Sequence, residues 1–291
     1  MVERITSAQN PKIKELLALQ EKSRLRRERG LFVVEGRREL AHCVEAGFTV
    51  DTVFVCPEIF GDRSGMTADG TAVGAALQAA FPERVHTSAA CKAVRTAEPR
   101  IVEVTPELYG KIAYRGGTEG IVAEVRVRER NLQDLVLPAH PLIIVLESVE
   151  KPGNLGAVLR SADAAGADAV IVCDPLTDLF NPNLIRASLG GIFTVPCVAT
   201  DSPSAIAWLK RQGIRILTAQ LQDSVWYYDS DMTCGTAIVV GTESTGLTEQ
   251  WRLAADGHIR IPMLGRLDSL NASVSAAILL FEAVRQRQAR R

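Results

Sequence analysis

What most constrains this chain is the alternation, through its second half, of short apolar runs with amphipathic stretches closed by glycine. The order predicts strand Leu142–Leu146, helix Asn154–Ala165 stopped at Gly166, strand Ala169–Cys173, a helix near Leu184–Leu189 and strand Val195–Ala199. It continues with helix Ser204–Gln212 stopped at Gly213, strands Arg215–Ala219 and Thr236–Gly241, a short helix near Thr248–Ala254, strand His258–Ile261 and a final helix Asn271–Arg287. Continuously apolar strands separated by helices predict an α/β fold with a mostly parallel sheet covered on both faces. Ligands in such sheets bind beyond the carboxyl ends of the strands, so chemistry belongs in the loops that follow them.

The first half opens with a β-α-β pattern: FVVEG as a strand, ELAHCVEAG as a helix stopped at Gly47, and TVDTVFVC as a second strand. Residues 61–76 read as a loop or insertion. A helix around Ala75–Phe81, a strand near Arg84–His86, a helical stretch near Ser88–Thr96 and a strand Gly120–Val127 follow. RERNLQDLVLPAHP mixes charge with two prolines and breaks the pattern, and the 291 residues fit two domains. The expected division is a smaller domain over 1–130, a linker over 131–141 and a second domain over 142–291.

Composition removes several function classes. With 47% hydrophobic residues a disordered chain is excluded. No apolar run reaches membrane-spanning length and the start lacks a signal-peptide pattern, so a soluble cytoplasmic protein is expected. The six cysteines (Cys43, Cys56, Cys91, Cys173, Cys197, Cys234) include no C-x-x-C pair, which predicts buried free thiols rather than disulfides or zinc, and the four histidines never fall at metal-ligand spacing. Net charge is −1, but residues 1–30 hold eight Lys/Arg against four Glu. That local excess fits either a solvated helix face laced with ion pairs or a phosphate-binding surface.

Three strand ends carry polar residues that a core does not need. After LIIVL, the turn Pro152-Gly153-Asn154 precedes a helix that Asn154 could cap, with Arg160 on an otherwise small, apolar run. After TAIVVG comes Thr242-Glu243-Ser244-Thr245-Gly246-Leu247, one carboxylate between two glycines. After HIRI comes PMLGRLDSLNASVS, where Ser269, Asn271, Ser273 and Ser275 crowd the start of an apolar helix. Each of those groups needs a partner or costs about 1–3 kcal/mol in lost solvation. Neither G-x-x-x-x-G-K-[ST] nor G-x-G-x-x-G occurs, and no Ser-His-Asp or Cys-His set accompanies the loops. Nucleotide-phosphate and covalent hydrolytic readings therefore lose their support. Loops at one sheet edge predict that Asn154, Arg160, Glu243, Ser269 and Asn271 come together.

NLGAVLRSA, GTESTGL and IPMLGRLDSLNASVSAAILLFE, in that order over about half the chain, resemble the three motifs of the SpoU/TrmH branch of the SPOUT superfamily. NPNLIRASLGGIFTVP resembles the usual connection between them and places Arg186 and Ser188 at matching positions. The resemblance implies transfer of a methyl group from S-adenosylmethionine to an RNA ribose 2′-hydroxyl, with ribosomal RNA favoured over transfer RNA. A non-catalytic RNA-binding protein of the same fold is the alternative, against which Asn154 and Arg160 both stand. It implies that Asn154, Arg160, Glu243, Ser269 and Asn271 surround the reacting groups. Backbone at Gly241, Ile261, Met263 and Leu270 would wrap the adenosine. Arg160, as a guanidinium, suits orientation and charge stabilisation better than proton abstraction. Ser244 stands where the family commonly has glycine. The front half is similar to an L30e-like RNA-binding module, which makes Lys12, Arg24, Arg26 and Arg27 candidate phosphate contacts. A trefoil knot and a homodimer with the final helix at its interface are further implications; no metal is expected, on the cysteine and histidine spacing above.

Overall fold

The computed structural model describes residues 3–61, 99–114, 119–242, 245–267 and 269–289. The elements expected between residues 62 and 98 lie outside these. Contacts divide the chain into two compact units, Met1–Arg128 with Phe180–Arg186, and Glu129–Leu179 with Ala187–Arg291.

In the first unit, helix α1 (Pro11–Glu21) begins where the Asn10 side chain accepts the Lys12 amide at 2.9 Å, with proline preset for the first turn. Its buried residues Ile13, Leu16 and Leu19 recur every third position and so face one way. They join Val33, Phe54, Val102 and Val122 in one core. The strands are β1 (Glu3–Ile5), β2 (Leu31–Glu35), β3 (Val50–Val55), β4 (Arg100–Val104) and β5 (Ile121–Arg126), in sheet order β1-β4-β3-β5-β2. The helices between them are α2 (Ser23–Arg29), α3 (Arg37–Glu45), α4 (Pro57–Gly61) and α5 (Pro106–Ile112). The β2-α3-β3 unit forms as read from the sequence, but its strands are not neighbours. Strand β5 lies between them, antiparallel to both. Gly120, at φ +71°, leads into β5; a Cβ there would sit 2.6 Å from the Phe60 backbone nitrogen, so only glycine fits.

The second unit is built on a seven-stranded sheet, order β10-β12-β9-β11-β6-β7-β8, in which every pairing is parallel. Its strands are β6 (Leu142–Glu147), β7 (Ala169–Cys173), β8 (Cys197–Thr200), β9 (Arg215–Ala219), β10 (Val225–Trp226), β11 (Thr236–Val240) and β12 (Gly257–Arg260). Strands β6, β7 and β11 are buried along their whole length, as strands covered on both faces must be. Helices α9 (Ser202–Arg211) and α10 (Glu249–Ala254) supply Trp208, Leu209 and Trp251 to one core. Helix α11 (Ala272–Gln288) packs against β6, β11 and α6 (Pro152–Ala164). Two short helices follow β7: α7 (Pro182–Ala187), of which residues up to Arg186 cluster with the first unit, and α8 (Gly191–Thr194).

Helix α11 is anchored at its far end by Arg287, which donates to the carbonyls of Met232, His140, Pro141 and Cys234 at 2.7–3.0 Å. Though apolar in sequence it is not buried all round, because Val274 and Phe281 are 46% and 49% exposed. The thiols of Cys43, Cys56, Cys173 and Cys197 are buried, whereas Cys234 is exposed, and Cys91 lies outside the described residues. Among the described residues no helix is long and apolar enough to cross a membrane, and no group of His, Cys, Asp and Glu could hold a metal ion.

Candidate active site

The carboxyl ends of β6, β9, β11 and β12 converge, and one buried carboxylate ties the first of them to the others. Glu147, 1% exposed at the end of β6, accepts the Thr248 amide at 2.8 Å and the Thr248 hydroxyl at 2.6 Å. Ser202 approaches the same carboxylate at 3.5 Å and also accepts the Trp251 indole N–H at 3.0 Å. This network pins the start of α10 and, through it, the loop after β11. Beyond Glu147 the backbone turns sharply, with Ser148 at φ +54°, a conformation that costs a non-glycine residue energy and is kept where the surroundings demand it.

A cavity of about 320 Å³ opens at these strand ends. Gly241, Ile261, Met263, Leu270 and Ser269, all singled out in the sequence, line it. Gly241 is required by the loop's own fold. A Cβ on it would fall 2.4 Å from the Gly246 carbonyl and 2.6 Å from the Leu247 nitrogen, both backbone atoms that cannot swing aside. The loop is closed by a bridge between Thr242 and Gly246 and by a 2.7 Å bond between the hydroxyls of Thr242 and Thr245. Glu243 and Ser244 lie outside the described residues, as does Asp268.

At the mouth of α11, two of the polar residues that crowd its start, Asn271 and Ser273, bond to each other. Asn271 is the N-cap: its side-chain oxygen accepts the Ser273 amide at 2.9 Å and the Ser273 hydroxyl at 2.5 Å. Its side-chain nitrogen donates to the Asn154 side-chain oxygen at 3.2 Å, joining α11 to α6. Ser275 faces the cavity. Asn154 does not cap α6 as expected. The helix starts at Pro152, whose missing N–H and fixed φ suit the first position, so Asn154 falls inside the first turn.

Arg160 is exposed on α6 and does not line the cavity. Six residues at about 100° each carry it about 240° round the helix from Asn154, so the two residues stand on different faces of α6. The amino-terminal cations divide. Lys12 pairs with Glu3, Arg24 with Glu28 at 2.6 Å, and Arg29 with Glu15 at 2.9 Å. Arg27 is exposed on α2, and Arg186 is exposed on α7. Arg26 is 2% exposed and donates to the Leu19 and Gln20 carbonyls at 2.5 and 3.2 Å. It satisfies the end of α1 and offers no surface charge, which corrects its expected role as a phosphate contact.

Residues 141–281 match the model of the SpoU rRNA Methylase family, and residues 10–123 match that of an MRM3-like substrate binding domain. A 23S rRNA (guanosine-2′-O-)-methyltransferase RlmB from Vibrio vulnificus is 38% identical over 61% of this chain and 74% of its own length. The chain belongs to the SpoU rRNA methylase family. Similarity to a 23S rRNA (uridine(2479)-2′-O)-methyltransferase from Streptomyces viridochromogenes runs further, 28% identity over 98% of this chain and 92% of that protein. An AdoMet-bound rRNA methyltransferase from Sinorhizobium meliloti superposes with a TM-score of 0.79 and 28% identity, over 98% of each chain.

SpoU methyltransferases use S-adenosylmethionine, and the cavity fits it. Leu247, Ile259, Ile261, Met263 and Leu270 provide apolar walls for a purine, while Gly241 and Gly246 let backbone approach closely. Sequence reading missed Gln220, Arg252 and the Glu147–Thr248 network. Gln220 directly follows β9, a strand that was read correctly, so the rule that ligands sit beyond strand ends pointed to it. Arg252 lies within α10, where a short polar helix gave no such signal.

Proposed function

We propose that this SpoU methylase transfers the methyl group of S-adenosylmethionine to a ribose 2′-hydroxyl of 23S ribosomal RNA. The observation that carries the reading is the cavity walled by Gly241, Ile261, Met263 and Leu270, with Ser269 in its lining and the Asn154–Asn271 pair at the start of the adjoining helix. The cofactor supplies an electrophilic methyl on a sulfonium, and the protein's task is to hold a ribose oxygen in line with it. Asn154 and Asn271 orient each other and offer amide groups to a ribose. Arg160 stabilises charge developing on the 2′-oxygen and orients the neighbouring phosphate, and Glu243 positions the loop after β11.

Two further features support a homodimer with α11 at its interface. Val274 and Phe281 lie two turns apart on one exposed stripe of α11, an apolar face that a second copy would bury. Arg160 stands away from its own chain's cavity, and a docked second copy brings an arginine to each site. A trefoil knot is part of the same reading, with α11 packed on β6 and β11 although the preceding strand, β12, pairs with β9 and β10. The domain over residues 1–130 serves as the RNA-binding module through Lys12, Arg24 and Arg27, joined by Arg186 from the segment that clusters with it, and residues 131–141 link it to the methyltransferase domain at 142–291. Ribosomal RNA as substrate supports a cytoplasmic location.

Labelled methyl transfer to unmodified 23S RNA, followed by digestion to nucleosides, tests the reading. A labelled 2′-O-methylnucleoside is expected, and Arg160→Ala should lower turnover by about 10²–10³-fold while S-adenosylhomocysteine binding persists. Turnover of Arg160→Ala within about threefold of the parent would remove Arg160 from the chemistry.

A further inference from the structure

The middle of the connection between β7 and β8, Phe180–Arg186, belongs to the first unit although both strands belong to the second. Local chemistry turns the chain there: the Asn181 side chain accepts the Asn183 amide at 2.9 Å and Pro182 begins α7 directly after it. Phe180 is left facing the first unit's aromatic residues. It stacks on Phe32 with ring centroids 4.4 Å apart at 25°, and meets Phe48 edge-on at 6.1 Å and 75°. Phe32 lies in β2 and Phe48 in the turn between α3 and β3, and both are buried. The Tyr114 hydroxyl adds a bond of 2.9 Å to the Asn183 side-chain oxygen. Ring packing and a hydrogen bond of set geometry make this a specific seat rather than a loose apolar contact.

Beyond Arg186 the chain returns to the second unit through a strained joint. Leu189 and Gly190 have φ of +52° and +85°, the first a conformation that costs a leucine energy and persists only where its surroundings impose it. Ser188 beside them is buried, and its hydroxyl accepts the Ile192 amide at 3.4 Å. Helix α8 then meets α6 backbone to backbone. A Cβ on Gly191 would fall 3.3 Å from the Leu159 carbonyl and 3.4 Å from the Arg160 nitrogen. The Thr194 hydroxyl donates to Asp163 at 2.5 Å, one turn further along α6. No flexible side chain separates the two helices at Gly191, so a displacement of α8 is passed to the turn of α6 that bears Arg160.

One short stretch is thus seated at one end in the unit that bears the RNA-facing cations and at the other against Arg160's own backbone. We propose that Phe180 is a positioning residue for methyl transfer: it seats the β7–β8 connection in the first unit and makes that connection a strap through which RNA held on the first unit sets the position of α6 and Arg160. This rests on the RNA methyl-transfer reading above and gives Phe180 no contact with substrate or cofactor. Because the strap acts on alignment, its loss shows in the rate at saturating RNA and not in affinity for the cofactor.

Two variants of the full chain test it. Phe180→Ala empties the seat, and an insertion of two glycines between Leu189 and Gly190 keeps both ends of the strap but makes it slack. Each should lower methyl transfer to saturating unmodified 23S RNA by about 10–100-fold while S-adenosylhomocysteine affinity stays within about twofold of the parent. Hydrogen exchange over Leu31–Glu35 should quicken in Phe180→Ala and stay parental in the insertion variant, showing that the seat survives when only the strap is loosened. An insertion variant whose saturated rate lies within about threefold of the parent overturns the inference, even if Phe180→Ala does not fold. A loss confined to KM for RNA in both variants also overturns it, since the segment would then only help to grip RNA. Loss of S-adenosylhomocysteine binding by the insertion variant does so too, because the connection would then support the cofactor cavity itself. A parent that transfers no methyl group overturns the RNA methyl-transfer reading and the inference with it, whereas a failure confined to the variants leaves that reading standing.

Discussion

Glu124 is the residue at which stability should respond most to pH. It lies on β5, 7% exposed, opposite Thr52 in the sheet register. Burial is the largest influence on its carboxyl, followed by repulsion from Glu15 and Asp51, and together they push its pKa up to about 7 from 4.5. Asp51 is held the other way. Although burial opposes it, bonds to Arg100 and Thr52 and the charge of Arg126 keep Asp51 below the usual carboxylate range, with both arginines at 2.5 Å. The two arginines are thus committed to Asp51, and Glu124 bears the cost of ionising beside it.

The sign follows from proton binding. Below pH 4.5 Glu124 is protonated whether the chain is folded or not, and it costs nothing. Between pH 4.5 and about 7 the unfolded chain has released the proton while the folded chain retains it, so stability falls by about 1.4 kcal/mol per pH unit. The difference of 7 − 4.5 = 2.5 units corresponds to about 3 kcal/mol, fully lost above pH 7. Glu124→Gln removes the ionisation but keeps the shape and the capacity to bond Thr52. In urea unfolding between pH 5 and 8 the variant should match the parent at the acid end and exceed it by about 2–3 kcal/mol at pH 8. Parallel pH profiles for parent and variant would refute the reasoning, because burial beside Asp51 would then carry no ionisation cost.

Three other substitutions probe the scaffold of the site. Glu147→Gln turns one of two acceptors toward Thr248 into a donor and removes the charge, and should cost about 2–3 kcal/mol while accelerating hydrogen exchange at the Thr248 amide; an unchanged exchange rate would show that the carboxylate does not hold α10. Gly241→Ala places a methyl 2.4 Å from the Gly246 carbonyl and should weaken S-adenosylhomocysteine binding by at least about tenfold in titration, whereas parental affinity would mean that the loop can open without cost. Arg287→Met leaves four carbonyls without a charged donor and should lower urea stability by about 2–4 kcal/mol, with a loss under about 0.5 kcal/mol showing that solvent satisfies them instead.

The parallel sheet was legible because its strands are apolar throughout and its helices end at glycines, signals that depend only on neighbours in sequence. Other elements depend on distant partners. Strand β1 has three residues, too few to show a period, and exists because β4 pairs with it about a hundred residues on. Strand β5 inserts between β2 and β3, which no property of the β2-α3-β3 segment announces. Arg26 was read as a surface charge because its neighbours Arg24 and Arg27 are, yet helix geometry separates them: α2 turns Arg26 inward to close the carbonyls that end α1. The same geometry applied to α6 bears on Arg160. Counting strand ends places Arg160 with Asn154, since both follow β6, but about 100° per residue places them on different faces. Arg160 is exposed and does not line the cavity. Under the homodimer proposed above, Arg160 acts across the interface, and activity should fall with dilution below that dimer's dissociation constant even when the cofactor remains bound. A turnover per chain that stays constant across that range would place the charge-stabilising role on a residue within one chain instead.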